Sequence, residues 1–383
     1  MQGKTLFTLL SALTLALLLL LTKYAVNTPM PASENAGFAA ADFLRGVSDS
    51  DFAIVDGQHD FQFPADHGPH PQYRSEWWYF TGNLEDERQR RFGYQLTFFR
   101  FNPSARQDEH QSNWRSNQLF MAHFTITDKQ NGKFHAFERF SRASAGLAGA
   151  EPGRFNVWLD DWSAHSPDEA EFPFQIHASE ANVSLQLELQ EGKTRVLHGE
   201  NGVSTKNSEP GNASYYYSYT RMPSTGRIVI DDENFTVAGE SWMDREWSSS
   251  ALGKDQRGWD WFALQLDNDH ELMFYRLRRE DDRPDEYSYG ALILPTGKLV
   301  TLGYKEINLK VLNKWKSGVS ATEYPATWHL QIPGQHLSLV IEPIIANQEL
   351  NLSFRYWEGA VNVSGKHDGK NIKGHGYVEL TGY

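Results

Sequence analysis

The sequence contains no cysteine among its 383 residues. This absence excludes disulfide bonds, thiol catalysis, thiolate metal sites and a lipidated N-terminal cysteine. The sequence also lacks a G-x-S-x-G nucleophile elbow, a P-loop and a dinucleotide-binding fingerprint. His270 and Glu271 begin like a zinc-protease helix, but Phe274 stands where the second histidine belongs. We therefore expect neither a metal ion nor a cofactor.

Positive charge is scarce as well. The chain has 36 Lys and Arg residues against 49 Asp and Glu, which gives a formal net charge of −13. Such a chain has no basic surface to neutralise phosphates, so nucleic acid is excluded as a partner. Aromatic residues, in contrast, are abundant, with 12 Trp, 16 Tyr and 23 Phe. Rings in this number suit pleated sheets and the walls of apolar cavities.

The N-terminus reads as an export signal. Lys4 precedes the apolar run "TLFTLLSALTLALLLLLT", which ends at Lys23. A positive residue followed by an apolar stretch is typical of a signal peptide, and the run is about as long as the shortest spanning helices. No A-x-A cleavage site follows immediately. Residues 1–26 are therefore predicted to be either a cleaved signal peptide or an inner-membrane anchor through residues 5–22, with the remainder in the periplasm.

Beyond a polar linker, the pattern is that of an all-β protein. Aromatic segments with period-two alternation, such as "EWWYFTGNL" and "RFGYQLTFFRF", are separated by charged turns. "NVSLQLELQEGKTRVL" and "RIVIDDENFTVAGESW" read as hairpins. Short strands at this spacing are typical of an antiparallel sandwich or barrel.

Two pairs of segments indicate an internal duplication. "EWWYFTGNL" and "FGYQLTFFR" match "GWDWFALQL" and "ELMFYRLRR", and "RIVI…TVAGESWMD" matches "AVNV…NIKGHGYVE". The first pair opens each half and the second pair closes it, so the seam lies just after Trp247. The matched positions are Trp77, Phe80 and Leu84 with Trp259, Phe262 and Leu266, and Gly239, Trp242 and Asp244 with Gly374, Tyr377 and Glu379. Each half is long enough for a barrel of roughly eight strands, a size that can hold one small ligand.

The stretch "GESWMDREWSSS" at this seam concentrates charge between tryptophans. On a strand, Asp244 shares a face with Glu240 and Glu246, whereas Arg245 lies on the other face beside Trp247. Acids on one face would repel each other if buried together, so we expect them to meet water or basic partners. A buried arginine needs an acidic partner. The candidates are Asp260, Glu76 or an acidic group of a ligand, so Arg245 is either a structural ion pair or a ligand contact.

Glu76 lies on the same strand face as Trp78 and Phe80. Buried without a partner, its carboxyl would have a raised pKa and could act as an acid. Paired with Arg74 or Arg100 at the barrel rim, it would be structural.

The loop before this strand, "HDFQFPADHGPHPQYRS", carries His59, Asp60, Asp66, His67 and His70. Histidine and carboxylate side chains suit zinc or iron, but nothing in the spacing sets a tetrahedral site. We expect a structured loop that plugs or caps a barrel mouth.

Long motifs in the sequence resemble the AttH/carotenoid 1,2-hydratase family, whose members are often labelled secreted hydrolases. They are "FPADHGPHPQYRSEWWYFTGNL", "FGYQLTFFR", "ESWMDREWSSSALGKDQRGWDWFALQL", "ELMFYRLR" and "YWEGAVNVSG…GHGYVELTGY", within about residues 61–383. The resemblance implies two lipocalin-like antiparallel β-barrels in tandem, at residues 50–247 and 248–383. It also implies kinship with cofactor-free hydratases of isoprenoid chains and with polyketide cyclases.

In those hydratases, the resemblance associates catalysis with a histidine two residues before a seam tryptophan and with a downstream tyrosine and aspartate. The tryptophan corresponds to Trp247 and the tyrosine to Tyr275, but Arg245 occupies the histidine position and no aspartate directly follows Tyr275. Hydration of an alkene begins with protonation of carbon, and arginine does not release its proton in proteins. A substitute acid would have to be a carboxyl group.

The sequence thus favours a protein that binds a hydrophobic, lipid-like or isoprenoid small molecule at the seam, with Arg245 facing an anionic head group. The alternative is a hydratase or hydrolase that uses carboxyl acid–base chemistry, and a third reading is a pair of filled barrels. A carboxyl group that faces a cavity without a basic partner would favour the enzyme. The candidate catalytic residues are Asp244, Asp260, Glu76 and Tyr275, and the candidate ligand-binding residues are Trp78, Tyr94, Arg245, Trp247, Trp259 and Trp261.

Overall fold

The structure is a computed structural model that describes residues 52–103, 117–167, 170–250, 252–253, 255–281 and 283–383. The segment 1–26 lies outside these residues, so its role in export or anchoring stays a prediction. In the described part of the chain, no helix is both long and apolar enough to span a bilayer.

The first sheet contains thirteen strands in the order β4-β3-β2-β1-β13-β12-β9-β8-β7-β6-β5, with β10 and β11 also paired to β12. All neighbouring strands are antiparallel, and the sheet curls into a near-barrel, the first barrel. The strands are Ser75–Asp86 (β1), Arg91–Phe101 (β2), Leu119–Asp128 (β3), Lys133–Arg142 (β4), Ala148–Ala150 (β5), Asn156–Leu159 (β6), Trp162–His165 (β7), Phe174–Glu180 (β8), Val183–Leu189 (β9), Val196–Leu197 (β10), Val203–Thr205 (β11), Ala213–Ile230 (β12) and Glu233–Ser248 (β13).

The second sheet contains ten strands in the order β17-β16-β15-β14-β23-β22-β20-β19-β18, with β21 paired to β22. It forms the second barrel, and with the first it confirms the all-β, two-barrel prediction. The strands are Gln256–Leu266 (β14), Glu271–Arg279 (β15), Tyr289–Ile293 (β16), Leu299–Gly303 (β17), Asn308–Lys316 (β18), Glu323–Ile332 (β19), Leu337–Pro343 (β20), Glu349–Asn351 (β21), Arg355–His367 (β22) and Lys370–Leu380 (β23). Three short 3₁₀ turns, Ala65–His67, Tyr304–Glu306 and Pro333–Gln335, interrupt the connections.

Strand register confirms the duplication predicted from the sequence. In the first sheet β1 pairs with β13, so that Tyr79 lies opposite Asp244 and Leu84 opposite Gly239. In the second sheet β14 pairs with β23, and Trp261 lies opposite Glu379 as Leu266 does opposite Gly374. The two alignments found in the sequence match the members of one pair to the members of the other, because they place Leu84 with Leu266, Gly239 with Gly374 and Asp244 with Glu379. The closing strand of each repeat is therefore bonded to its opening strand in equivalent register.

Apolar side chains form three cores. One fills the first barrel around Trp78, and another fills the second barrel around Trp328. The third contains residues of both sheets, among them Trp242 from β13 and Trp261 from β14. Since strand side chains alternate between faces, the inner face of each sheet fills its barrel and the outer faces of the two sheets meet at the third core.

Gly93 on β2 allows the two sheets to approach closely. A Cβ atom at this position would lie 2.5 Å from the Cβ of Ala360 and 2.9 Å from the hydroxyl oxygen of Tyr377, both in the second sheet.

A Gly93→Ala substitution is expected to lower the free energy of unfolding by about 1–3 kcal/mol, because overpacking forces the sheets apart. Urea unfolding followed by tryptophan fluorescence measures this loss. Gly318→Ala is the control, since no described atom lies within 4 Å of the added Cβ; equal midpoints for both variants would contradict the prediction.

A buried polar cluster holds the sheets together at one end of their contact. Glu271 on β15 is fully buried and accepts hydrogen bonds from Lys193 at 2.9 Å and from Arg221 on β12 at 2.6 Å. Arg221 also contacts Glu240 of β13 at 2.6 Å. These hydrogen-bonded ion pairs fix the position of one sheet against the other, because separation of the sheets would leave buried charges without partners.

The loop before β1 plugs the first barrel, as the sequence predicted. The imidazole of His67 is fully buried and its Nδ1 lies 2.6 Å from the hydroxyl of Tyr217. The indole of Trp78 donates a hydrogen bond to the carbonyl of His67 at 2.7 Å. Phe61 and Phe63 pack on the same core. This barrel is filled by side chains of its own chain.

Candidate active site

A cavity lies between the outer faces of the two sheets. Its empty volume is about 1030 Å³, which includes space open to solvent. We call it the inter-sheet cavity. Most of its wall is apolar or aromatic, formed by Trp77, Tyr79, Phe99, Phe101, Met121, Tyr216, Trp259, Trp261, Tyr275, Leu277, Phe354 and Tyr356. The other lining residues are Thr97, His123, Lys206, Asp244, Glu246, Glu358, Glu379 and Thr381.

Strand register brings the polar side chains into two facing rows. In the first sheet, Asp244 lies beside Tyr79, which is followed across the strands by Thr97 and His123. The second sheet carries a corresponding row, which consists of Glu358, Glu379, Trp261 and Tyr275. Residues of one row point to the same face because they are paired directly across neighbouring strands.

Asp244 is buried in this cavity without a basic partner in the described part of the chain. Its carboxylate accepts hydrogen bonds from the hydroxyls of Tyr216, at 2.7 Å, and Ser218, and from the indole of Trp242 at 2.6 Å. Burial raises the pKa of Asp244 to about 7 although these hydrogen bonds favour the carboxylate, and the nearby charge of Glu246 adds to the rise. Near neutral pH this group can therefore either give or take a proton.

Glu358 and Glu379 lie opposite each other on β22 and β23. Burial raises the pKa of Glu358 well above its ordinary range, the charge of Glu379 adds to the rise, and the hydroxyls of Tyr79 and Tyr356 offset part of it. For Glu379, burial and the charges of Asp244 and Glu246 raise the pKa to about 8, against a hydrogen bond from Trp259. Two adjacent carboxyls titrate together, and at neutral pH the pair retains protons.

Two buried polar atoms at the cavity wall interact with each other but have no further hydrogen-bond partner within the described residues. They are Oε1 of Glu358 and the hydroxyl of Tyr79, whose residues are 1% and 7% exposed. Their mutual interaction is one reason why the pKa of the Glu358 carboxyl is not raised further by burial.

Lys206 and Glu246 neutralise each other at another part of the wall. The ammonium of Lys206 lies 3.2 Å from the Glu246 carboxylate and donates to the hydroxyl of Ser204 at 3.0 Å. The same serine lies 2.9 Å from the hydroxyl of Tyr275, and the ammonium sits 4.2 Å from the centre of the Tyr275 ring. Burial lowers the pKa of Lys206, but Glu246 and Tyr275 outweigh it and the net shift is upward, so this lysine is charged.

The sequence led us to expect that the three acids of the seam, Glu240, Asp244 and Glu246, would meet water or basic partners. Two of them do. Glu240 pairs with Arg221 at 2.6 Å, and Glu246 pairs with Lys206. For Asp244 the expectation is wrong, because it is only 4% exposed and neutral donors surround it. Three hydrogen bonds and a raised pKa replace the basic partner.

The sequence-predicted site residues separate into three places. Asp244, Tyr275, Trp259 and Trp261 line the inter-sheet cavity. Trp78, Tyr94, Trp247, Glu76 and Arg245 belong to the first barrel, on or near its filled core. Asp260 lies in the second barrel, where it accepts hydrogen bonds from Arg278 at 3.0 Å and from Tyr383 at 2.7 Å.

Arg245 forms a closed ion network inside the first barrel. Glu76 accepts hydrogen bonds from both Arg245 and Arg100, and all three side chains are fully buried. Arg245 also donates to the carbonyl of Gly68 at 2.6 Å and lies 4.0 Å from the ring of Trp78. Burial raises the pKa of Glu76, but the two guanidinium charges outweigh it and the net pKa lies well below the ordinary range. Arg245 thus has the structural ion pair that the sequence allowed. It is fully buried and does not line the inter-sheet cavity, so the structure does not support the expected contact with an anionic head group there.

Tyr94 and Trp247 also make contacts within the first barrel. The hydroxyl of Tyr94 lies 2.6 Å from that of Ser241. The indole of Trp247 stacks on the imidazole of His70, with 3.8 Å between ring centroids.

Three side chains of the plug loop lie as close together as metal ligands do. The ligand atoms of His59, Asp66 and His70 lie within 4.8 Å of one another. Each histidine is hydrogen-bonded to Asp66, at 3.1 and 3.0 Å, and Arg245 lies 3.2 Å from the other nitrogen of His70. The aspartate and the two histidines are hydrogen-bonded to one another, and a cation here would lie beside two buried guanidinium groups. The cluster is explained by its role in fixing the loop.

Sequence reasoning did not propose His123, Lys206, Tyr356, Glu358 or Glu379 as site residues. For Glu379 a signal existed, because the internal alignment pairs it with Asp244, and a role assigned to one acid could have been transferred to the other. Glu358 carries no such signal. Its position depends on the pairing of β22 with β23, which alternation within one strand does not specify.

Comparison with known proteins agrees with this architecture. The family model described as AttH-like matches residues 54–383. The chain belongs to the AttH-like family.

Solved structures support this membership. The crystal structure of a candidate AttH protein from Nitrosomonas europaea is 32% identical to this AttH-like chain, with a TM-score of 0.77, and the match covers 87% of this chain and 100% of that one. Kievitone hydratase from Nectria haematococca is 14% identical, with a TM-score of 0.65, and the match covers 88% and 95% of the two chains. CghA with Sch210972 is also 14% identical, with a TM-score of 0.54 and coverage of 88% and 97%. At such low identity, the last two show the fold alone. Among curated proteins, no sequence matches the chain.

Proposed function

We propose that this AttH-like protein is a cofactor-independent enzyme that hydrates or dehydrates a hydrophobic, unsaturated small molecule in the inter-sheet cavity. The observation that carries the proposal is the Glu358–Glu379 pair, which retains protons at neutral pH in an aromatic cavity where no described lysine or arginine lies beside it. A carboxyl that faces a cavity without a basic partner favours an enzyme over a binding protein, because it can exchange a proton with a bound molecule. The similarity of fold to kievitone hydratase is consistent with it.

The carboxyls supply both the acid and the base of such a reaction. A proton moves from the Glu358–Glu379 pair to one alkene carbon, and the neighbouring carbon becomes cationic. A water molecule adds its oxygen to that carbon, and Asp244 in its carboxylate form accepts the proton that the water loses. Transfer of one proton from Asp244 back to the pair restores the starting state. Asp244, with a pKa of about 7, is a suitable base near neutral pH.

The aromatic wall would stabilise the cationic intermediate. Trp77, Trp259 and Trp261 present rings to the cavity, and ring faces attract positive charge. The histidine of the related hydratases is not needed for this scheme. Arg245, at the corresponding position, belongs to the first-barrel network, and the acids come from β13, β22 and β23.

A Glu358→Gln substitution tests the proposal. Incubation with a panel of neutral isoprenoid and polyphenolic alkenes, followed by mass spectrometry, would detect the gain of one water. We expect the variant to lose about 100-fold to 10,000-fold in turnover, the range of a lost general acid, while quenching of tryptophan fluorescence shows that binding persists. The matched control is Glu323→Gln, whose carboxylate forms an exposed ion pair with Lys314.

Each outcome distinguishes the two functions that the sequence left open. Full turnover by the Glu358→Gln variant would contradict the acid role of the pair. Binding of panel members by the wild-type protein without any turnover would instead support a carrier of hydrophobic molecules, which the aromatic wall alone would explain.

A further inference from the structure

The inter-sheet cavity has an unbalanced set of charged groups. Among the described residues that line it, four are acids and one, Lys206, is a lysine or arginine. Lys206 is already paired with Glu246 at 3.2 Å. Asp244, Glu358 and Glu379 therefore face the cavity without a compensating cation in the described part of the chain.

The walls between these acids also favour positive charge. Trp259 and Trp261 come from β14, and Trp77 and Tyr79 come from β1 on the other side. An organic cation between two layers of rings gains a cation–π attraction at each ring face. An anion would face the electron-rich faces of these rings and the carboxyl groups at once.

We infer that the cavity selects hydrophobic ligands that carry or develop a positive charge beside Glu358 and Glu379, so that alkylammonium compounds bind more tightly than neutral or anionic molecules of the same shape. The inference rests on the proposed function, because such a cation resembles the intermediate formed when an alkene is protonated. It replaces the anionic head group that Arg245 suggested from the sequence.

The selection depends on pH through the carboxyl pair. A cation prefers the ionised pair, so its apparent affinity scales with the fraction of the pair that has lost a proton. Since the pKa of Glu379 is raised to about 8, binding of a cation should strengthen up to about tenfold per pH unit below that value and level off above it. Among the described residues, the titratable and charged groups that face the pair from the surrounding elements are Tyr79 on β1, His123 on β3, Lys206 before β12, Tyr216 on β12, Asp244 and Glu246 on β13, Tyr275 on β15, Tyr356 on β22 and Tyr377 on β23.

Three small probes of nearly equal shape test the inference on the full chain. They are benzyltrimethylammonium, its neutral carbon analogue neopentylbenzene, and the anion phenylmethanesulfonate. Tryptophan fluorescence and calorimetry measure each affinity at about pH 6 and about pH 9. We expect the ammonium compound to bind at least about tenfold more tightly than the neutral analogue at the higher pH, to lose most of this advantage at the lower pH, and to exceed the sulfonate at both.

Two variants connect this selectivity to the pair. Glu358→Gln and Glu379→Gln should each remove most of the ammonium preference at the higher pH and leave the affinity for neopentylbenzene within about threefold, whereas Glu323→Gln should change neither. The use of two separate positions keeps the test informative if one variant fails to fold.

The outcomes separate the inference from the proposed function. Equal binding of ammonium and neutral probes at both pH values, or tighter binding of the sulfonate, would overturn the inference and leave the enzyme proposal standing. A clear ammonium preference together with binding of the alkene panel but no turnover by the wild-type protein would support the inference and overturn the enzyme proposal. Absence of binding by all three probes would overturn the inference, and the alkene panel would still decide the proposed function.

Discussion

Replacement of Glu76 by glutamine is expected to lower the free energy of unfolding by about 3–5 kcal/mol, the usual effect of removing one partner from a buried ion pair. Glu76 is the shared hydrogen-bonded partner of Arg100 and Arg245, and none of the three side chains is exposed. The glutamine fills the same space but leaves two guanidinium groups buried with one counter-charge fewer. Urea unfolding monitored by tryptophan fluorescence measures the difference.

The same substitution at an exposed ion pair provides the control for Glu76. Glu323 pairs with Lys314, and both side chains are more than half exposed, at 53% and 59%. Such pairs contribute about 0–1 kcal/mol, so Glu323→Gln should leave the midpoint nearly unchanged. If the two variants unfolded at similar urea concentrations, the network around Arg245 would not be a stabilising feature of the first barrel.

Replacement of Asp244 by asparagine is expected to alter the pH dependence of stability. The folded-state pKa of Asp244 is raised from an ordinary value of 3.8 to about 7. A group with a raised pKa stabilises the fold fully below its unfolded value, and this contribution is lost as the pH rises through the folded value. Between about pH 4 and pH 8, the wild-type protein should therefore lose about 4 kcal/mol relative to the variant, since one pKa unit corresponds to about 1.4 kcal/mol.

Glu240 is the control of opposite sign. Its pKa is lowered to about 2, because Arg221 and His375 outweigh the effect of burial. Its contribution is present above the ordinary value of 4.5 and is lost as the pH falls through the folded value, so the wild-type protein should lose its advantage over Glu240→Gln in acid. Thermal unfolding in a series of buffers measures both slopes. Parallel pH curves for the wild-type protein and the Asp244→Asn variant would show that Asp244 titrates normally.

Much of the fold could be predicted because local patterns repeat. Alternation of aromatic and polar residues indicated the strands, and the two internal alignments indicated equivalent barrels, which the register of Tyr79 with Asp244 and of Trp261 with Glu379 confirms. The faces of β13 were also predicted, because alternation alone separates Asp244 from Arg245.

The site was harder to predict, because which face lines a cavity depends on how the sheets pack. From the sequence, the face with Trp78, Arg245 and Trp247 was as suitable a ligand wall as the opposite one. The plug loop with His67 and Phe61 fills that interior, and no pattern in β1 or β13 reports this. Glu358 joins Glu379 only through pairing of β22 with β23, a contact set by register rather than by local sequence.

Because the closing strands of the two repeats have equivalent register, the acids at matching positions of β13 and β23 can differ from each other in residue type and surroundings. Asp244 and Glu379 occupy matching positions of the two repeats and line one cavity. Two identical copies of a single repeat, related by symmetry, would present two identical acids and would change both with every substitution. A tandem chain removes that constraint. One repeat has aspartate held by three hydrogen bonds, while the other has glutamate beside a second glutamate, so a single pocket contains two acidic sites with different surroundings.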